Sequence, residues 1–260
     1  MKDITPQNIA KFSSLIENSR NIAVVGHMKP DGDAMGSCLG MYHYLRLCGK
    51  ENISIVLPHR TQAYLNFLLD EESSKDLTIH EDRPQKAEEA IAGCDLIICL
   101  DFNAFHRADK LEKPLAESTA QKILIDHHLN PDRDSFDLCF SETAISSASE
   151  LVYEVLMNTP VINKDAGKLP AQAAVALMTG MTTDTNNFTN STFPSTLRMA
   201  ADLIEAGVDR DAIVSNIYQQ HRETRMRLMG HILKDLMKIT EDGVAFDIKT
   251  LYGSRIKGEY

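Results

Sequence analysis

Ile123-Leu124-Ile125-Asp126-His127-His128 sets a carboxylate and two imidazoles directly after an aliphatic run. A short apolar run that ends in polar residues reads as a strand buried on both faces, the kind found in parallel sheets. The pattern recurs upstream, where Ile22-Ala23-Val24-Val25 precedes Gly26-His27-Met28-Lys29-Pro30-Asp31-Gly32-Asp33. It recurs again where Asp95-Leu96-Ile97-Ile98-Cys99-Leu100 precedes Asp101. In doubly wound α/β sheets, ligands bind outside the carboxyl ends of the strands. Buried strands that each end in ionisable residues therefore point to a fold and to the place of a site within it.

Helical patterns alternate with these strands. Thr5-Pro6 reads as an N-cap with proline in the first turn of a helix reaching about residue 18. Helices are predicted over 34–48, stopped by Gly49, and over 62–69 and 84–92, with further strands at 53–57, 77–79 and 122–125. After 137–140 the pattern turns mostly helical, over 147–157, 169–181, 194–206, 209–218 and 222–238, and a strand over 243–248 follows with no partner in view. The expected fold class is α/β: a doubly wound, mainly parallel sheet with helices on both faces. A helical segment then leads to a second small domain that is missing or truncated. The implied division is a site-bearing domain at 1–190, a helical extension and linker at 191–240, and the start of a truncated second domain at 241–260.

The 260 residues are 43% hydrophobic and 25% charged, which supplies an ample core. A net charge of −10 excludes a broad basic coat for duplex DNA. It leaves small anionic substrates open, because bound divalent metals invert the local charge. Tryptophan is absent, and no basic, aromatic-rich stretch is present to track a long single strand. Five cysteines without CxxC spacing imply reduced thiols and a cytoplasmic location. Residues 1–20 carry charges throughout, and no apolar run approaches membrane-spanning length, so no membrane association is expected. The Ala-rich helix at 169–181 and Met226, Met229 and Met237 leave core packing or a homodimer interface open, with helical spacing favouring core.

Four clusters share one placement, directly after a strand or a buried helix: His27, Asp31 and Asp33; Asp101; Asp126-His127-His128; and Asp184, after the helix ending near Met181. Carboxylates and imidazoles without cysteine suit Mn, Mg, Co or Fe. A bridging carboxylate holds two such cations roughly 3.5–4 Å apart. Alone, Asp101 or Asp184 reads as a cap or turn former and His127-His128 as a surface pair. His43, His59, His80, His221 and His231 read as structural. The joint pattern outweighs its parts, because the bland reading would have to hold at four places in a compatible order. Around the first cluster, Pro30 would stiffen the loop and Gly32 would allow an unusual turn. Ala34, Gly36 and Ser37 would start a helix whose first amides face an anion.

The order His-x-x-x-Asp-x-Asp, Asp, Asp-His-His, Asp, carried by GHMKPDGDAMGS, LDFN, IDHH and MTTDT, resembles the DHH phosphoesterase superfamily over residues 21 to about 190. The resemblance is strongest to its nanoRNase and 3′-phosphoadenosine-5′-phosphate phosphatase branch, which is exopolyphosphatase-related and RecJ-like. It implies a centre of two Mn²⁺, with Mg²⁺ or Co²⁺ as alternatives. His27, Asp31 and Asp101 are implied to hold one ion, and Asp33, Asp101, His127 and Asp184 the other, with Asp101 bridging. His128 is implied to contact the scissile phosphate, and Asp126 to orient the neighbouring histidines. His106 and Arg107, just after Asp101, are candidates for reaching the phosphate. The implied reaction is hydroxide attack on phosphorus. It would cleave short oligoribonucleotides to mononucleotides or dephosphorylate a small nucleotide such as 3′-phosphoadenosine 5′-phosphate. Pyrophosphatase, exopolyphosphatase or linear dinucleotide phosphodiesterase activity on the same centre is the enzyme alternative. A metal-dependent nucleotide-binding regulatory protein is the non-enzyme one. Members of this branch carry a GGGH motif in a second domain, and no GGGH occurs here. That domain is therefore expected to be truncated or divergent.

Overall fold

Strand alternation sorts the apolar residues onto two covered faces. The computed structural model describes residues 1–219, 223–241 and 243–246. Its main sheet comprises β1 (Asn21–Val25), β2 (Asn52–Leu57), β3 (Leu77–Ile79), β4 (Leu96–Leu100), β5 (Gln121–Asp126) and β6 (Leu138–Ser141). All pair in parallel, in the order β3-β2-β1-β4-β5-β6. Ile22, Val24, Ile55, Ile98, Ile123 and Ile125 pack on one face, and Ala23, Val25, Ile97, Cys99 and Leu124 on the other. Burial on both faces is why these strands read as continuous apolar runs.

Helices α1 (Pro6–Asn18), α2 (Gly32–Leu47), α3 (Glu71–Asp76), α4 (Pro84–Ala92) and α5 (Glu112–Glu117) belong to the strand-bearing half. Helices α6 (Ala148–Met157), α7 (Ala171–Asp184), α8 (Pro194–Glu205) and α9 (Arg210–Tyr218) follow it. Residues of α1, α2, α6 and α7 cover the first face, while Ala87 and Ile91 of α4 and Leu115 of α5 cover the second. The strand order reverses between β1 and β4, and a crevice opens at the carboxyl ends at such a switch point.

Helix α2 is buried continuously from Gly32 to Leu45, so it is a central helix rather than an amphipathic one. It packs closely on α7 because Gly32, Gly36 and Gly40 stand four residues apart and present no side chain there. A Cβ on Gly36 would lie 2.5 Å from the Ala176 carbonyl oxygen and 2.9 Å from Gly180 Cα. A Cβ on Gly32 would overlap Thr183. Gly32 thus serves close helix approach, and the turn conformation expected from sequence is not its role. The amides expected to face an anion are also engaged, since Asp31 Oδ1 accepts from Asp33 N at 3.0 Å and Ala34 N at 3.1 Å.

Several local expectations are revised. The helix predicted at 62–69 is a 3₁₀ turn, Ala63–Leu68. Helices α3 and α5 and the 3₁₀ turn Phe105–Leu111 were not anticipated; each is too short to show a clear period. The chain forms two compact units, the first Met1–Ile217 and the second beginning at Tyr218. In the second, the helix predicted at 222–238 is divided: α10 (Glu223–His231) passes into a π-helical turn, Ile232–Leu236, and then into β7 (Met237–Thr240). β7 pairs antiparallel with β8 (Gly243–Phe246), so the strand expected to stand alone has a partner. Met226, Met229 and Met237 are exposed rather than core. His221, Arg222 and residues 247–260 lie outside the described residues. No described helix is long and apolar enough to cross a membrane.

Gly36→Ala tests the close approach of α2 and α7. At an open helical position this change stabilises by roughly 0.5–1 kcal/mol. Here overpacking should reverse the sign and destabilise by about 1–3 kcal/mol in denaturant unfolding; a raised midpoint would contradict the packing.

Candidate metal centre

The carboxyl ends of β1, β4 and β5 lie side by side, and each delivers part of one cluster. His27 follows β1, Asp101 follows β4, and Asp126 is the last residue of β5, with His127 and His128 beyond it. Helix α2 adds Asp33, and Asp31 stands at its N-cap. Asp184 is the last residue of α7, inside the helix rather than after it, and follows Thr183, against which Gly32 of α2 packs.

Asp101 lies between the two histidines. Its Oδ2 is 3.3 Å from His27 Nε2, and its Oδ1 is 3.5 Å from His127 Nε2. His27 Nε2 also faces Asp31 Oδ1 at 3.7 Å. His127 Nε2 faces Asp33 Oδ2 and Asp184 Oδ2, each at 3.8 Å. These separations exceed ordinary hydrogen bonds, but they are what ligand atoms about 2 Å from a common centre adopt. Two groups, His27, Asp31, Asp101 and Asp33, His127, Asp184, each hold their donor atoms within 4.8 Å of one another, and so does Asp101, His127, His128.

The surroundings fix most of these side chains. His27 Nδ1 lies 2.7 Å from the Met28 carbonyl oxygen, which can only accept, so Nδ1 carries the proton and Nε2 is left to face the carboxylates. Asp33 is gripped by the N-terminus of α6: Oδ2 accepts from Ala148 N at 2.7 Å and Oδ1 from Ser149 N at 2.8 Å. That grip was not foreseen, although Ser147 and Glu150 carry the N-cap pattern that starts α6. Asp126 is fully buried, accepting from His128 N at 3.1 Å and from His128 Nδ1 at 2.7 Å. His128 therefore turns Nε2 away from the protein at the mouth of the site, where its side chain is 39% exposed. His106 is exposed and Arg107 half-buried in the 3₁₀ turn after β4. The Arg107 carbonyl accepts from Met28 N at 2.7 Å, tying that turn to the His27 loop. His43 and His80 pair with Asp70 and Glu88, and His59 pairs with Asp109 while its Nδ1 accepts from Lys29 N, in the His27 loop, at 3.1 Å.

The electrostatics are those of a site short of positive charge. Burial and the Asp101 charge push Asp33 well above the usual carboxylate range. Burial, opposed by His127 but aided by Asp101 and Asp31, pushes Asp184 up to about 6. Burial also disfavours charge on Asp101, yet His127 and His27 outweigh it and hold Asp101 at about 2. Both histidines are held up against burial: His27 to about 10 by Asp101 and Asp31, and His127 to about 9 by Asp101 and Asp33. Asp101 Oδ1 is buried without a hydrogen-bond partner, and the Asp101 backbone is left-handed at φ 63°, a conformation retained where the surroundings impose it. An orphaned carboxylate oxygen amid oxygen and imidazole donors, with no thiolate among them, fits hard or borderline divalent cations.

Residues 21–181 match the DHH family, N-terminal domain. The chain is 29% identical over 223 residues to the bifunctional oligoribonuclease and PAP phosphatase NrnA of Bacillus subtilis, covering 84% of this chain and 63% of that protein. It is 32% identical over 199 residues to the cyclic-di-AMP phosphodiesterase GdpP of Geobacillus thermodenitrificans, covering 75% of this chain and 29% of that one. Less than two thirds of either relative is therefore spanned. The crystal structure of an exopolyphosphatase-related protein from Bacteroides fragilis superposes with a TM-score of 0.84 at 34% identity, over 93% of this chain and 68% of that one. The architecture, the order of the clusters and these matches agree: the chain belongs to the DHH family.

Proposed function

We propose that this chain is a metal-dependent phosphoester hydrolase. It would use two Mn²⁺ ions and act on short oligoribonucleotides or on 3′-phosphoadenosine 5′-phosphate. The observation that carries the reading is the shared carboxylate of Asp101, one oxygen toward His27 and the other toward His127. His27, Asp31 and Asp101 would hold one ion, and Asp33, Asp101, His127 and Asp184 the other. When bound, two such ions supply Lewis acidity toward phosphate oxygens and make water a stronger acid at neutral pH. Asp126 fixes the ring of His128, leaving Nε2 to meet the scissile phosphate and the leaving oxygen. Arg107 and His106 lie on the turn nearest the His27 loop and would engage the substrate's outer phosphate. The chain's −10 charge favours small substrates concentrated by the bound cations over duplex DNA. Five unpaired cysteines support a cytoplasmic setting.

A second reading, hydrolysis of cyclic dinucleotides, is favoured by similarity to GdpP and to the cyclic-di-AMP phosphodiesterase PdeA of Listeria monocytogenes, 29% identical over 238 residues. One assay separates the readings: product release with Mn²⁺ from di- to pentaribonucleotides, 3′-phosphoadenosine 5′-phosphate, cyclic di-AMP and pyrophosphate. Turnover of the short ribonucleotides or the bisphosphate is expected to dominate. Preference for cyclic di-AMP would establish the second reading, and activity on pyrophosphate alone would refute both.

Asp101→Ala should remove the shared ligand, abolish activity and weaken binding of both ions, whereas His128→Ala should slow turnover with Mn²⁺ affinity largely kept. Metal content and rate measured on the two variants decide the roles; loss of metal from His128→Ala would make His128 a ligand.

Metal binding should also release protons. With His27 held at about 10 and His127 at about 9, both rings are protonated at pH 7 before an ion binds. A raised pKa means stronger proton competition at low pH, so apparent affinity should rise with pH between 6 and 9. Calorimetry in two buffers of different ionisation enthalpy should find protons released on ion binding near pH 7; a buffer-independent heat would contradict the assignment.

A further inference from the structure

A left-handed turn follows closely on Asp184. Asn186, Asn187 and Phe188 have φ of 45°, 57° and 67°, three successive residues with no glycine. L side chains occupy this region reluctantly, bulky ones most of all. Short-range bonds shape the turn: Asn187 N donates to the Thr182 carbonyl at 2.8 Å, Phe188 N to Thr185 Oγ1 at 3.1 Å and Asn190 N to the Thr185 carbonyl at 2.9 Å. Phe188 packs against the main core, and one polar partner comes from far along the chain. Arg210, the first residue of α9, donates to Asn187 Oδ1, and its Cζ lies over the Phe188 ring, 5.4 Å from the centroid. A planar guanidinium can donate at its edge and stack at its face at once, which an ammonium cannot.

Asp184 needs such support more than its neighbours. Asp33 is held by two amides of α6, and Asp31 by the first amides of α2. Among the described residues, no hydrogen bond fixes the Asp184 carboxylate, whose nearest partner is His127 Nε2 at 3.8 Å. Its aim is therefore set by where α7 ends and by the path the chain takes next.

We propose that Arg210 is a positioning residue for Asp184: by clamping Asn187 and Phe188 it holds the left-handed turn closed and fixes the direction of the last turn of α7. The proposal rests on Asp184 being a ligand of one ion. Strained backbone persists where the surroundings over-determine it. Arg210 is the long-range polar element of that determination, beside the packing of Phe188 against the core.

The test is Mn²⁺ titration calorimetry on the full chain, with circular dichroism and a melting curve for each variant. Asp184→Asn is expected to weaken one of two ions. Arg210→Met should weaken the same ion by about 10- to 100-fold while sparing the other, the usual effect of losing a group that orients a ligand. Arg210→Lys keeps a cation over Phe188 without the fork and should fall between wild type and Arg210→Met; it becomes the test variant if Arg210→Met does not fold. Wild-type binding of both ions by Arg210→Met, with Asp184→Asn still losing one, overturns the proposal and leaves the metal centre standing. Weakening of both ions together with a lowered melting temperature would show a merely structural role and also overturn it. Retention of both ions by Asp184→Asn would remove the ligand assignment itself, and the proposal with it.

Discussion

The Asp101 carboxylate is the constraint on which the rest of the site depends. It is 2% exposed, sits on a left-handed backbone, and offers its two oxygens to two imidazoles that approach from opposite sides. That arrangement requires the loops after β1 and β5 to flank the end of β4, and the strand order β1-β4-β5 provides it. A sheet wound in another order would scatter His27, Asp101 and His127 along the edge. The topology is thus part of the chemistry, because it converts three distant stretches of sequence into one set of donors.

The remaining carboxylates are held with graded firmness. Asp33 is 1% exposed and bonded at both oxygens to the start of α6, so it can hardly turn. Asp31, with 54% of its side chain exposed, caps α2 and lies at the open side. Asp184 depends on the packing of α7 against α2 and on the turn beyond it. The site therefore has a rigid floor and a more accessible rim, with His128 at the mouth. Mutations should differ in kind along this gradient: those beneath Asp33 disturb α6 and the fold with it, whereas those at the rim reach the site with the sheet intact.

The strands were legible because each is an apolar run bounded by polar residues; β1, β4 and β5 fall within a residue or two of where the pattern puts them. The proximity of His27, Asp101 and His127 was legible too, since carboxyl ends of adjacent parallel strands meet at a switch point. The partners across the fold were not. Periodicity reports which side of a helix is apolar, not what lies against it. Gly32 and Gly36 thus looked like turn and helix-start residues until α7 appeared beside them. The grip of Ala148 and Ser149 on Asp33 spans more than a hundred residues. The clamp of Arg210 on Asn187 leaves no local signal at either end. In the second unit, helix propensity carried the prediction past His231, where the chain instead makes a π-helical turn and a hairpin.

The electrostatics imply an order of events. Four carboxylates converge on two imidazoles, and burial and mutual repulsion raise Asp33 and Asp184 while the histidines climb to about 9 and 10. Without cations the cluster can only recruit protons, which blunts its charge and occupies the Nε2 atoms an ion would need. In that state the two protonated rings lie against Asp101, whose charge offsets theirs. On the proposed function, divalent ions in place of those protons would concentrate positive charge at two points that phosphate oxygens could reach. On that function, ion binding would come before phosphate binding. A substrate phosphate touching both ions would in turn strengthen their retention, because the linkage between ion and phosphate is reciprocal.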